Sequence, residues 1–416
     1  MKNVIIGRLI VLMAALLAAP AEAQAQDTQD YDYETNADNT ITITLYTGTN
    51  DVVTIPTNIT GLPVTTIGPN AFAGSAHDPN SSLISVTIPG SVSGIGDGAF
   101  EFCVSLTNAT IVNGVTNIGA SAFLWCSWLP TIEIPASVTS IGDYAFMFCS
   151  SLTNATILNG VTSIGDETFA ECIRLASVTI PGSVTNIGDS AFGDSSGLTD
   201  VTLPASITSI GSSVFEGCTG LTNVTIPGSV TNIGTNAFEG CYKLAGVTIP
   251  GSVTSIGESA FYMCEDLTSV TIPGSVSSIG DDAFTQCNSL ISVYFTGNAP
   301  IADSSLFRPI IGPVHGSTVY YLPGTSGWSN TFAGDPAVLW NPLIQTGDGS
   351  FGVHNGQFGF NITGTPNIPI VVEASTSLAG PVWTPLQSLT LTNGSYYFSE
   401  PFQPGSPGRF YRIGSQ

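Results

Sequence analysis

Of the chain's 416 residues only 9% are charged, against roughly 25% in an average soluble domain, while 43% are apolar and glycine (46) and proline (26) are plentiful. That pairing of high hydrophobicity with low charge density excludes charge-driven disorder. Thirty acidic residues against seven basic ones, a formal net charge of −23, exclude partners held through phosphates, so neither nucleic acid nor an anionic membrane surface is expected.

Residues 1–23 place Lys2 and Arg8 before the apolar run from Leu9 to Leu17 and close on Ala21-Glu22-Ala23, the pattern of a cleaved secretory signal peptide. No cysteine follows the run, so lipoprotein attachment is not expected. No later stretch holds the roughly 18 apolar residues of a membrane span. Cleavage after Ala23 leaves 29 acidic and 5 basic residues, with Lys243 the only lysine. Residues 24–82 then read as an N-terminal cap and first repeat.

From there the sequence is periodic. Ile-Gly recurs at Ile67, Ile95, Ile118, Ile141, Ile164, Ile187, Ile210, Ile233, Ile256 and Ile279, and after a first interval of 28 every interval is 23. A phenylalanine stands five residues after each of these isoleucines, from Phe72 to Phe284. From Ile95 onward, a leucine stands twelve residues before each isoleucine. A fixed period of this length marks a solenoid, whose units bury their apolar faces only by stacking. In the unit from Leu221 to Cys241, Val224 and Ile226 alternate with Asn223 and Thr225 as in a strand with one buried face. Pro227, Gly228 and Ser229 end the strand in a turn. Val230 and Ile233 point a second short segment inward, and the following glycine is expected to permit a tight bend. Asp97, Asp143, Asp166, Asp189 and Asp281 are expected to N-cap a single helical turn. Twenty-three residues leave the outer side only turns and short 3-10 pieces. The architecture expected over 83–289 is therefore a right-handed, β-rich solenoid of parallel strands, with a cap over 290–342.

The unit Leu-x-x-Val-x-Ile-Pro-x-x-Val-x-x-Ile-Gly-x-x-Ala-Phe-x-x-Cys resembles the BspA-like subclass of leucine-rich repeats, over roughly residues 39–340. Val53-Thr-Ile-Pro56 with Gly61-Leu-Pro-Val64 resembles that family's opening unit. Val293-Tyr-Phe-Thr-Gly-Asn-Ala-Pro300, with Val319-Tyr-Tyr-Leu-Pro323 and Trp328, resembles its closing cap. The resemblance implies a leucine-rich-repeat protein that is secreted or cell-surface and acts in adhesion, with an extracellular protein or glycan as partner. It implies no catalytic residues.

All eight cysteines, 103, 126, 149, 172, 218, 241, 264 and 287, occupy one repeat position. Equivalent side chains in stacked coils lie about 4.8 Å apart, wider than the roughly 3.8 Å Cβ separation of a disulfide, so the column reads as buried thiols. Ser195 divides it four and four, which leaves pairing between neighbours open. A linear column does not converge on a metal, and neither a metal site nor a cofactor is expected.

Two surfaces are candidates for binding. The outward strand positions form a threonine column that includes Thr156, Thr179, Thr202 and Thr225, interrupted by Glu133 and ended by Tyr294. Its readings are a solvated strand face, a hydrogen-bonding surface for glycan or protein, or, in a structural alternative, a flat ice-binding array. The second surface is aromatic: Phe102, Trp125 and Phe148 share one column in successive units, with Trp128 beside them, where later units hold Glu171, Asp194, Gly217 and Gly240. Such a cluster is either a contact site or is covered by the segment from Tyr31 to Tyr46. His77, His315 and His354 are scattered, with no nucleophile arrangement around them, and no enzyme is expected. The period fails after about residue 290, and residues 343–416 alternate between short apolar strands and turns such as Asn393-Gly394. They read as a small all-β module for sorting or attachment. Oligomeric state is left open by these residues.

Overall fold

A computed structural model describes residues 28–74, 82–308, 317–402, 405 and 408–414. The expected signal peptide, His77 and His315 lie outside them. The chain winds into a β-solenoid of about 12 turns with a period of about 23 residues. Three columns of backbone join successive coils.

The first column consists of parallel strands such as Asn108–Ile111, Asn154–Ile157 and Asn223–Thr225, each paired in register with the residue 23 positions on, as Asp200 with Asn223 and Thr202 with Thr225. Alternation decides their faces: Val224 is buried and Thr225 exposed, as the period-2 pattern requires. The second column pairs the short segments ending in the repeat isoleucine, Ile141 with Ile118 and Ile164. Pro130 explains one gap in the first. Thr107 and Thr153 donate their N–H to the preceding coil, at 2.8 Å each, whereas Pro130 in the same position has none to give. The strands Asn108–Ile111 and Thr131–Ile134 accordingly belong to separate sheets.

The third column, the turn wall, departs from expectation. Among the described residues the only 3-10 element is Thr28–Asp30, and the wall is built of turns. In the coils of Ile95 to Ile279 the third and seventh residues after the isoleucine adopt left-handed backbone, as Ser121 (φ 55°) and Trp125 (φ 62°) do. The N–H groups of Ser121, Phe123 and Trp125 then donate to Asp143, Ala145 and Met147 of the next coil, at 2.7, 2.7 and 3.0 Å. This ladder satisfies backbone that a helix would have satisfied within one coil.

Two further expectations are corrected by the same stacking. The aspartates do not cap a helical turn: Asp97 Oδ1 accepts from Ala120 N (2.9 Å), and Asp143 and Asp166 accept from Asp166 N and Asp189 N (2.9 Å each). Their carboxylates bridge coils at a position the ladder leaves open. Nor do the Ile-Gly glycines need positive φ. A Cβ on Gly142 would lie 2.7 Å from Gly119 C and 2.6 Å from Ala120 N, so the glycine lets consecutive coils approach.

Inside, Phe72 to Phe284 form one stack with ring centroids 5.0–5.6 Å apart. Tyr46 closes its N-terminal end at 5.0 Å from Phe72. Phe307 closes the other at 6.2 Å from Phe284, a further ring that sequence spacing missed because it lies six, not five, residues after Ile301. The eight cysteines are buried thiols in no disulfide. Each Sγ donates to the carbonyl of the preceding coil's phenylalanine, as Cys149 to Phe123 (3.3 Å). Ser195 Oγ does the same to Phe169 O (2.8 Å), which is why serine can stand in this column.

Beyond the cap, residues 343 onward form two antiparallel sheets. One is centred on Gln357–Thr363, which pairs with Ser395–Pro401; in the other Pro369–Ser375 lies between Thr384–Thr390 and Phe410–Gly414. The strands flanking Asn393-Gly394 lie in different sheets, so this turn crosses between them instead of closing a hairpin. The module's core of Phe360, Ile362, Ile370 and Phe398 is continuous with Tyr294 and Tyr320 of the cap. Trp340 Nε1 donates to Pro369 O across the join (3.0 Å).

Candidate binding surfaces

The aromatic column sits on the turn wall, where the ladder just described dictates the backbone. Phe102 (φ 56°), Trp125 (φ 62°) and Phe148 (φ 59°) are all left-handed, a conformation that costs a bulky L-residue roughly 1–2 kcal/mol. Gly217 (φ 66°) and Gly240 (φ 69°) fill the same position without that cost. These glycines were the signal in the sequence that the whole column is left-handed.

The rings stack along the solenoid axis. Trp125 lies 4.2 Å from Phe148 at an interplanar angle of 14°, and 6.3 Å from Phe102 at 17°. Trp125 therefore has a neighbour on each face, yet remains 39% exposed through its edge. Trp128 is 66% exposed, and Phe102 and Phe148 are half-buried. Tyr144 and Ile173, in the coils of Phe148 and Glu171, are also exposed and were not foreseen. The expected cover does not lie here: Tyr31 and Tyr46 pack on each other and on Phe72, at the end of the core stack.

Past Phe148 the same column turns acidic. Glu171 and Asp194 follow in register, and Glu216 and Glu239 lie one residue earlier in the next two coils. Burial, then the neighbouring Asp194, raises the Glu171 carboxyl above its usual range. Burial and then Glu216 do the same to Asp194 and to Glu239.

On the strand face Thr179, Thr202 and Thr225 are exposed and Thr156 is half-buried. Thr156 donates to Asn154 Oδ1 (3.1 Å). Another column, two residues before the repeat isoleucine and threonine except at Ser93 and Ser277, spends hydroxyls on backbone: Thr139 and Thr162 Oγ1 donate to the carbonyls of Thr116 and Thr139, at 3.1 and 3.0 Å. A shallow depression of about 350 Å³ lies at Gly246, between Asn223, Thr248 and Thr271, and one of about 470 Å³ between Thr179 and Thr202. Glu133 interrupts the threonine column. Tyr294 is corrected: it is 5% exposed, covered by Tyr320 (5.1 Å) and Trp340 (6.1 Å), and so does not end an accessible face.

Burial pushes the thiols of Cys149 and Cys287 up to about 12, so the column consists of neutral thiols. Among the described residues no group of three His, Cys, Asp or Glu side chains is placed to hold a metal ion. No helix among them is long and apolar enough to cross a membrane.

A family profile described as a BspA type leucine rich repeat region matches residues 65–199 and 194–310. Among solved structures, the chain is similar to a leucine rich cell surface protein from Faecalibacterium prausnitzii, with 34% identity over 65% of this chain and 88% of that one and a TM-score of 0.47. It is also similar to a leucine rich repeat protein of T. pallidum, with 26% identity over 64% and 90% of the two chains and a TM-score of 0.32. A leucine-rich repeat protein from Bacteroides ovatus gives 25% identity, 64% and 93% coverage and a TM-score of 0.28. No curated protein matches the chain.

Proposed function

The chain belongs to the BspA type leucine rich repeat family, and from that premise we propose that it is a secreted or surface-exposed, non-enzymatic protein that binds an extracellular protein or glycan in adhesion. The signal pattern of residues 1–23 supports export, and the C-terminal β module, docked on the cap, is read as aiding attachment. One observation carries the choice of site. The ladder Phe102, Trp125 and Phe148, with Trp128, keeps apolar surface in solvent where the following coils of the same column hold Glu171, Asp194, Gly217 and Gly240. A core has no use for such a feature, whereas a contact surface does.

The test is saturable binding of residues 24–416 to a panel of matrix proteins and polysaccharides, beside a Trp125→Asp/Phe148→Asp variant and a chain ending at Asn341. Binding lost in the double variant and kept in the shortened chain is the expected result. A panel ligand that holds the double variant as tightly as the native chain would remove the ladder from the function.

A further inference from the structure

Charge is distributed unevenly over the solenoid. Between Leu83 and Arg308 the sequence holds eighteen acidic residues but only Arg174, Lys243 and Arg308 as bases. The strand face carries just Glu133 and Asp200 of these acids. On the turn wall Asp97, Glu101, Asp143, Asp166, Glu167 and Glu171 lie in the coils of the aromatic ladder or the one that follows it, and Asp194, Glu216 and Glu239 continue the series. None of them is ion-paired: among the described residues the ion pairs are Arg409 with Glu400 and Arg412 with Glu373, both in the C-terminal module. Burial, and after it one neighbouring acid each, holds the carboxyls of Glu171, Asp194 and Glu239 above their usual range.

Ring geometry narrows the partner further. Because Trp125 is stacked between Phe102 and Phe148, it turns an edge outward and has no free face for a sugar to lie on. Aliphatic and aromatic side chains pack well against ring edges. We propose that the ridge running from Phe102 through Trp125 and Phe148 to Glu171 and Asp194 is a docking surface for a cationic polypeptide segment whose Lys or Arg residues are interleaved with apolar side chains. The apolar side chains seat on the ring edges and on Trp128. The cations meet the carboxylates one or two coils away, at about 4.8 Å per coil. This inference rests on the ladder's being the binding site and specifies its ligand.

Three soluble peptides test it with the native mature chain: one alternating Lys with Trp, one with Glu in place of Lys, and one with Ser in place of Trp. Only the Lys/Trp peptide is expected to bind saturably, about tenfold more weakly when salt rises from ~0.05 to ~0.5 M. A Trp125→Gly/Phe148→Gly variant, which puts at both positions the residue found at Gly217 and Gly240, is expected to remain folded by circular dichroism and lose at least about tenfold in affinity. Glu171→Gln/Asp194→Asn is expected to flatten the salt dependence. Equal binding of the Glu peptide, indifference to salt, or undiminished binding by the glycine variant would each overturn the proposal. If a ligand from the protein and polysaccharide panel binds through the ladder while the Lys/Trp peptide does not, the inference fails and the adhesive reading stands. If no panel ligand and no peptide depends on the ladder, both fail.

Discussion

The coils carrying Phe102, Trp125 and Phe148 and those carrying Glu171, Asp194, Gly217 and Gly240 share one backbone and differ almost wholly in what they show to solvent. In both stretches the seventh residue after the isoleucine is left-handed and its N–H donates to the next coil, at 3.0 Å from Trp125 to Met147 and 2.7 Å from Asp194 to Glu216. Each is backed by the same phenylalanine stack and thiol column. The solenoid's stability therefore resides in its columns of main chain, Phe, Ile and Gly. The wall's outward side chains are free to vary, aromatic over one stretch and anionic over the next.

Breaking the shared scaffold should have the largest effect. Gly165 lies at the boundary between the two stretches, where a Cβ would come within 2.6 Å of Asp143 N and 2.7 Å of Gly142 C. Gly165→Ala is expected to destabilise the chain by about 1–3 kcal/mol in urea unfolding. An unchanged midpoint would show that close approach of coils is not what this glycine serves.

A subtler contrast should appear with pH. Glu171, Asp194 and Glu239 have folded-state pKa values raised by burial and by neighbouring acids, so over the window between ordinary and raised values the folded chain holds more protons than the unfolded one. Their contribution to stability is therefore lost as pH rises through that window. Glu171→Gln/Asp194→Asn should reduce this fall, measured as the difference in urea midpoint between the acid and neutral sides of the carboxylate range. A parallel shift at both pH values would refute the explanation. In the aromatic stretch Trp125→Gly should leave stability within about 1 kcal/mol of native, because relief of left-handed strain offsets lost ring stacking. A larger loss would make the ladder a structural element and weaken its claim as a contact surface.

Much of the fold was legible because the repeat forces it. A 23-residue period with Phe, Ile, Leu and Cys at fixed positions has one economical solution, coils in register, and the alternation Val224-Thr225-Ile226 sets which strand face is buried. The thiol column followed from the same register. What stayed hidden was where backbone groups find partners. Asp97 looks like a helix cap when only its own coil is considered, but its acceptor role is to Ala120 in the next. Likewise, the glycine after each isoleucine suggests a bend locally and is in fact a point of contact between coils.

The candidate surfaces divide the same way. Sequence by itself determined the repeat, the export pattern, the acidic balance, and that Phe102, Trp125 and Phe148 share a column, since each depends only on residue identity and spacing. Tertiary structure alone decided that Trp125 is stacked between Phe102 and Phe148, that the carboxylates prolonging the column are in no ion pair, and that Tyr294 is covered by Tyr320 and Trp340. The physical reason is that exposure and ring orientation are set by neighbours 23 or more residues away, and by a left-handed backbone that inter-coil hydrogen bonds impose whatever the side chain.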